Sequence, residues 1–150
     1  MRIVTAGYDD ELVQRLVDQI QAEYVVRYGG PDRTPVDPTE FTADRGGTFL
    51  LGLVGDEPAA CGGLRRHDEA SAEVKRMFVA EAHRGHGHAR VMLTALEDAA
   101  RLQGYSRIIL ETGTAQPEAI ALYESSGYQP IPSFGYYRHS PQNRCFARDL

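Results

Sequence analysis

The sequence predicts one domain of the mixed α/β (α+β) class: a mostly antiparallel, twisted sheet of six to seven strands flanked by about four helices across all 150 residues. Three observations carry this. Segments with strand character follow one another through tight polar turns in the first half of the chain, which is the pattern of an antiparallel meander. Residues 72 to 111 then read strand, helix, strand, and such a unit places its two strands side by side in parallel with a right-handed crossover. The length suits one core, because a chain of this size buries roughly two thirds of the surface that it exposes unfolded.

Each element has its own signal. "RIVTA" is a short edge-like strand, and Asp9 or Asp10 caps a helix in which Leu12, Leu16, Ile20 and Tyr24 recur every four residues, joined by Val13 and Val17. "RYGGPDRTPVDPTEF" carries two glycines and three prolines, so it is expected to be a loop with at most a short helix at "DPTEF". A loop of that length in a compact domain is often functional. "GTFLLGLV", the turn "GDEP" and "AACGGLRR" make a hairpin, and "SAEVKRMFVA" adds a strand after the polar "HDEAS". From about Arg84 to Leu102 the spacing of Ala89, Met92, Leu96 and Ala99 is helical, ending at Gly104, a residue suited to a left-handed helix terminus. "RIILE" is a continuous apolar run, as in a strand covered on both faces. A further helix starts at Pro117, carries Ile120 and Tyr123 and stops at Gly127, and "YQPI" and "RCFARDL" supply two last strands.

Composition excludes several classes. With 42% hydrophobic and 25% charged residues and no low-complexity tract, the chain is expected to be globular. No apolar run approaches a membrane span, and "MRIVTAGYDD" has no signal-peptide core, so a cytoplasmic protein without a membrane partner is expected. Cys61 and Cys145 each lie in an apolar strand segment and read as packing residues rather than a disulfide. A net charge of −5 argues against nucleic acid, whose phosphates call for a basic face.

The stretch "AHRGHGHARVML" stands where a strand turns into a helix. The first N–H groups of that helix are unpaired and the positive end of its dipole is exposed, so the turn is an anion site in waiting. Gly85 and Gly87 allow a close backbone approach. A phosphate cradle is the favoured reading, with a solvated basic turn as its alternative. The loops of kinases and dinucleotide-binding dehydrogenases do not fit, since neither Gly-Lys-Ser/Thr nor Gly-x-Gly-x-x-Gly is present. His83, His86 and His88 lack a metal-binding frame and have no cysteine nearby, so no metal is expected.

Arg84-Gly85-His86-Gly87-His88-Ala89 matches the Arg/Gln-x-x-Gly-x-Gly/Ala signature and, preceded by "AEVKRMFV", resembles the GNAT superfamily of acetyl-CoA-dependent N-acetyltransferases. "LETGTAQPEAIALYESSGYQPIP" is similar to the family's second diagnostic segment, a strand and a helix with an Ala-x-x-Leu-Tyr core followed by Gly and an aromatic. The tail resembles that of small bacterial members, some known as indole-acetic-acid acetyltransferases, although that compound offers no ordinary amine. The resemblance implies a central parallel strand pair splayed apart for acetyl-CoA. It implies that the backbone of Arg84, Gly85, His86, Gly87, His88 and Ala89 holds the pyrophosphate. It also implies that Met77, Phe78 and Val79 border the pantetheine arm, which pairs with the backbone as an added strand.

A primary amine arrives mostly protonated at neutral pH, so acetyl transfer needs a base, and the departing thiolate needs an acid. The resemblance implies Glu73 as a base acting through water and Tyr123 as the donor to sulfur; a strand glutamate paired with an arginine and a core tyrosine are the structural alternatives. Neither cysteine need be a nucleophile in direct transfer. In this fold the acceptor lies between the first helix with its loop and the tail, here Tyr24, Tyr28, Asp32 and Arg33 facing Tyr136 and Tyr137. Arg65, Arg66 or Arg76 is a candidate to bind a substrate carboxylate. The expected partner is a small-molecule amine. A protein or peptide N-acetyltransferase and a non-catalytic acyl-CoA sensor are the competing readings, and a homodimer is left open.

Overall fold

The computed structural model describes residues 1–150 and forms one seven-stranded sheet between two helical layers. In chain order the elements are β1 (Arg2–Thr5), α1 (Glu11–Tyr28), β2 (Thr48–Val54), β3 (Glu57–Arg66), β4 (Ser71–Val79), α2 (His88–Leu102), β5 (Arg107–Gly113), α3 (Pro117–Ser125), β6 (Gln129–Ile131) and β7 (Asn143–Asp149). The strand order is β1-β2-β3-β4-β5-β7-β6, with β4 and β5 the parallel pair and every other neighbour antiparallel.

The core lies on both faces of the sheet. On one, Met92, Leu93 and Leu96 of α2 pack against Leu64, Val74, Ile108 and Leu110. On the other, Val13, Leu16 and Ile20 of α1 pack against Phe49, Leu51 and Cys61. Each such side chain, fully buried, contributes about 1.5–3 kcal/mol. Asp10 caps α1 by accepting a hydrogen bond from the Leu12 N–H at 2.9 Å, and Gly29 ends it with a left-handed φ of 79°. Cys61 and Cys145 are both buried and unpaired.

Two expectations change. The helix anticipated from about Arg84 begins at His88, because Gly85 and Gly87 adopt φ of 83° and 79° and break the right-handed path. Of the four helices anticipated, three are α-helices. The fourth, at "DPTEF", is a single 3-10 turn, Pro38–Phe41, whose start is closed by a reciprocal capping box between Asp37 and Glu40.

β4 and β5 pair over only three residues each, Ser71–Glu73 with Arg107–Ile109, and then diverge. Where they part, β4 carries a bulge: Arg76 and Met77 stand opposite the single residue Gly62 of β3, and Arg76 takes a φ of 56°. Strict alternation would send Arg76 to the α2 side with Ala72 and Val74. The extra residue resets the alternation instead. Lys75 and Arg76 therefore both leave the α2 core, while Met77 and Val79 return to it.

Candidate active site

The divergence of β4 and β5 opens a cleft of about 660 Å³. Along its β4 wall the backbone from Val74 to Val79 has no strand partner on the β5 side. An edge inside a sheet is an opportunity for an extended ligand to pair. Met77, Phe78 and Val79 all line this wall, together with Arg84 and Ala89 at the mouth.

At that mouth α2 has no side-chain cap. Its first intrahelical donor is Val91, whose N–H reaches the Gly87 carbonyl at 3.2 Å, so the N–H groups of His88, Ala89 and Arg90 have no helical partner. A Cβ at Gly85 or Gly87 would meet no protein atom within 4 Å, so the space above the turn is open. The imidazoles of His86 and His88 stand 5.9 Å apart at the exposed turn, and His83 lies 3.4 Å from Glu57. No three His, Cys, Asp or Glu side chains gather in a metal-binding arrangement.

Arg84 faces inward. Its Nε donates to the Val79 carbonyl at 3.0 Å, Nη2 pairs with Glu23 at 2.8 Å, and the guanidinium lies over the Phe78 ring. It holds one of the carbonyls that an added strand would use.

Tyr123 of α3 lines the cleft and is largely buried. Burial, with Tyr24 beside it, pushes its hydroxyl well above the ordinary tyrosine range, and no protein group hydrogen-bonds it. Such a hydroxyl keeps its proton at neutral pH and faces a space where a partner can come. Burial likewise pushes Tyr24 up to about 12.

Glu73, the base that the sequence suggested, is buried and paired. Arg65 Nε donates to it at 2.9 Å and Lys75 Nζ stands 4.0 Å away, and Glu73 is not among the lining residues. A second carboxylate, with no role assigned from the sequence, does line the cleft: Glu111 at the end of β5. Its Oε1 lies 3.5 Å from Lys75 Nζ and its Oε2 accepts from Asn143 Nδ2 at 2.9 Å. Burial raises the Glu111 carboxyl above its ordinary value of 4.5, and the nearby Glu73 adds to this, against the pull of Lys75 and Asn143. Charges therefore alternate from β3 to β5: Arg65, Glu73, Lys75, Glu111. The missed signal was positional, since "RIILE" puts its glutamate at the carboxyl end of a parallel strand, where open α/β sheets bind ligands.

The residues that the sequence assigned to the acceptor join two loops. The Arg33 N–H donates to the Tyr137 hydroxyl at 2.7 Å, and Gln21 exchanges two hydrogen bonds with the backbone of Asp32. Tyr24, Tyr28, Asp32, Arg33 and Tyr137 line the cleft; Tyr136, half exposed, packs edge-on against Tyr137 behind it. Tyr28 lies so close over β5 that any Cβ at Gly113 would overlap it. Of the three candidate arginines, Arg65 holds Glu73, Glu40 and the Pro35 carbonyl, Arg66 stacks on Tyr105, and only Arg76 lines the cleft.

A split parallel pair with an uncapped, glycine-turned helix at its mouth and a protonated tyrosine inside defines the class of transferases that take an acyl group from a CoA thioester. Residues 13–128 match the acetyltransferase (GNAT) family, and the chain belongs to it. It is 36% identical over 105 residues to the N-acetyltransferase YsnE of Bacillus subtilis, spanning 69% of this chain and 70% of that one. It is 38% identical over 103 residues to an IAA acetyltransferase of Azospirillum brasilense, spanning 68% and 67%. Among solved structures, a Klebsiella pneumoniae protein assigned as an acyl-CoA N-acyltransferase superposes with a TM-score of 0.82 at 26% identity, over 99% of this chain and 97% of that one. A GNAT acetyltransferase of Elizabethkingia anophelis with acetyl-CoA bound shares the fold, with a TM-score of 0.74 at 16% identity over 99% and 97%.

Proposed function

We propose that the protein transfers the acetyl group of acetyl-CoA directly to a primary amine of a small molecule. The observation that carries this is the continuity of one cleft from Arg84 and Ala89, on either side of the glycine turn, past the free β4 edge, to Tyr123, Glu111 and the aromatic wall. The uncapped N–H groups after Gly87 fit a pyrophosphate, and the backbone of Met77 to Val79 fits an extended pantetheine arm once Arg84 releases the Val79 carbonyl. A bound acetyl-CoA supplies the activated acyl group.

Glu111 takes the amine proton, directly or through a water, because its carboxylate borders the cleft while Glu73 stands one step behind Lys75. Glu73 then acts as a positioning residue that holds Lys75 beside Glu111. As the new C–N bond forms and the C–S bond breaks, Tyr123 gives its proton to the departing sulfur. Tyr28 and Tyr137 provide flat apolar faces for the acceptor. The tie between Arg33 and Tyr137 narrows the acceptor end, which favours a small molecule over a peptide.

A panel of amines and amino acids incubated with acetyl-CoA, followed by free thiol and by mass of the product, tests this reading. Thiol release matched by an N-acetylated small amine is expected. Acetylation confined to peptides would move the function to the protein-directed class, and acetyl-CoA binding with no turnover on any amine would make it a sensor.

A further inference from the structure

Arg76 is the one buried cation of the cleft whose hydrogen bonds are left open. Its side chain is 5% exposed, on a bulge that a non-glycine residue rarely occupies at φ 56°. Nη1 lies 3.1 Å from Asp32 Oδ2, off the hydrogen-bonding direction, and neither Nε nor Nη1 has a protein acceptor in line. The other oxygen of Asp32, Oδ1, accepts from the Thr34 N–H at 2.9 Å and the Thr34 hydroxyl at 2.7 Å, which fixes the carboxylate beside Arg76. Buried guanidinium groups normally satisfy their donors; here Nη1 faces Asp32, while the Nε–Nη2 edge, the side on which a carboxylate is met bidentately, carries no hydrogen bond to the protein. Strained backbone held in place by its surroundings gathers at ligand sites, and here the strain is what turns Arg76 out of the α2 core.

The neighbourhood places this fork near the chemistry. Tyr24 stands close enough to feel the charges of Arg76 and Asp32, and Tyr123 in turn feels Tyr24. Lys75, next in the chain, is already shared between Glu73 and Glu111 and is not free for an anion. Arg65 and Arg66 are committed elsewhere.

Resting on the acetyltransferase reading above, we infer that the acceptor is an amine bearing a carboxylate, an amino acid or close analogue, and that Arg76 is the specificity residue that receives the carboxylate. The amine then points to Glu111 while the side chain lies on the tyrosine wall. Asp32 holds the guanidinium in place from the opposite side.

Matched acceptors test it: L-phenylalanine, L-phenylalaninamide and phenethylamine share one side chain and differ in the carboxylate. The protein is expected to acetylate phenylalanine with a kcat/KM about 10²-fold above both others, as befits a site built around a polar substrate group. 3-Phenylpropionate, which has no amine to react, is expected to inhibit competitively against phenylalanine. Arg76→Gln should bring the ratio among the three acceptors to within about 2-fold and abolish the inhibition, with acetyl-CoA affinity as the check on folding. If that variant does not fold, the ratio measured on the unaltered protein decides alone. Equal rates for the three acceptors, or a preference that survives Arg76→Gln, overturn the inference and leave the N-acetyltransferase intact. No thiol release with any of the three, or with the wider amine panel, removes the acetyltransferase reading and this inference together.

Discussion

At the scale of single residues, the proposed transfer turns on two protons and on groups whose surroundings suit them to opposite tasks. Tyr123, raised by burial, stays protonated as a donor must; Tyr123→Phe keeps the ring and should lower kcat by about 10²-fold with acetyl-CoA affinity retained, read by steady-state kinetics beside calorimetry. Glu111, also raised by burial, should give kcat/KM an acid limb displaced above the ordinary carboxylate range, activity rising as the group ionises. Glu111→Gln should remove that limb, lose about 10²-fold at neutral pH and recover in part in alkaline solution, where more amine is already neutral. The sign for stability is the reverse. A carboxyl raised by folding stabilises the native state fully in acid, below its unfolded pKa, and that contribution is lost as pH climbs through the folded value, so urea unfolding of Glu111→Gln should lack this downward slope. Glu73→Gln should behave differently, costing about 3–5 kcal/mol because Arg65 and Lys75 lose a buried partner. A limb that vanished with Glu73→Gln and survived Glu111→Gln would restore Glu73 as the base. The sequence pointed to Glu73 and passed over Glu111, since which of two strand glutamates meets the cleft depends on where the parallel pair opens, and the position of Glu111 near the carboxyl end of its strand is the one local hint of that.

Among elements, α2 shows how much a short motif can reveal. Its two glycines and the strand before it were legible as a turn with exposed N–H groups, while the start of the helix was misjudged by about a turn because helical spacing runs on through residues whose φ is left-handed. If that turn holds pyrophosphate by backbone alone, Gly87→Glu should abolish acetyl-CoA binding, through strain at φ 79° and a like charge facing the phosphates. His86→Ala and His88→Ala should change the affinity little, and calorimetric titration would expose the cradle as mistaken if either histidine variant lost binding. The bulge in β4 was not legible. "SAEVKRMFVA" reads as one strand, and the pairing with the glycine-containing β3 is what shows that an extra residue has been admitted there.

For the whole molecule, the strand sequence, the right-handed crossover and the parallel pair followed from periodicity and turn chemistry, because those signals are local. The pairing of the tail was less accessible: β7 inserts between β5 and β6, a placement set by long-range pairing. The acceptor wall is likewise assembled from segments about a hundred residues apart, such as Arg33 and Tyr137, and depends on the completed fold. The brief contact between β4 and β5 has a consequence for the free protein. Ladder pairing between the two halves of the sheet is limited to three residues per strand, so the seam should open more readily than the strands on either side. Acetyl-CoA laid into the seam would close it with hydrogen bonds that the chain itself does not supply. Amides of Lys75 to Val79 that face the seam should exchange fast with deuterium in the free protein and slow sharply on binding, while the β2–β3 hairpin should be protected throughout. A ligand at 100 times its Kd adds about 2.7 kcal/mol to the folded state. Cofactor supply would then govern the lifetime of the enzyme as well as its rate: a chain starved of acetyl-CoA would be the one whose middle unzips first.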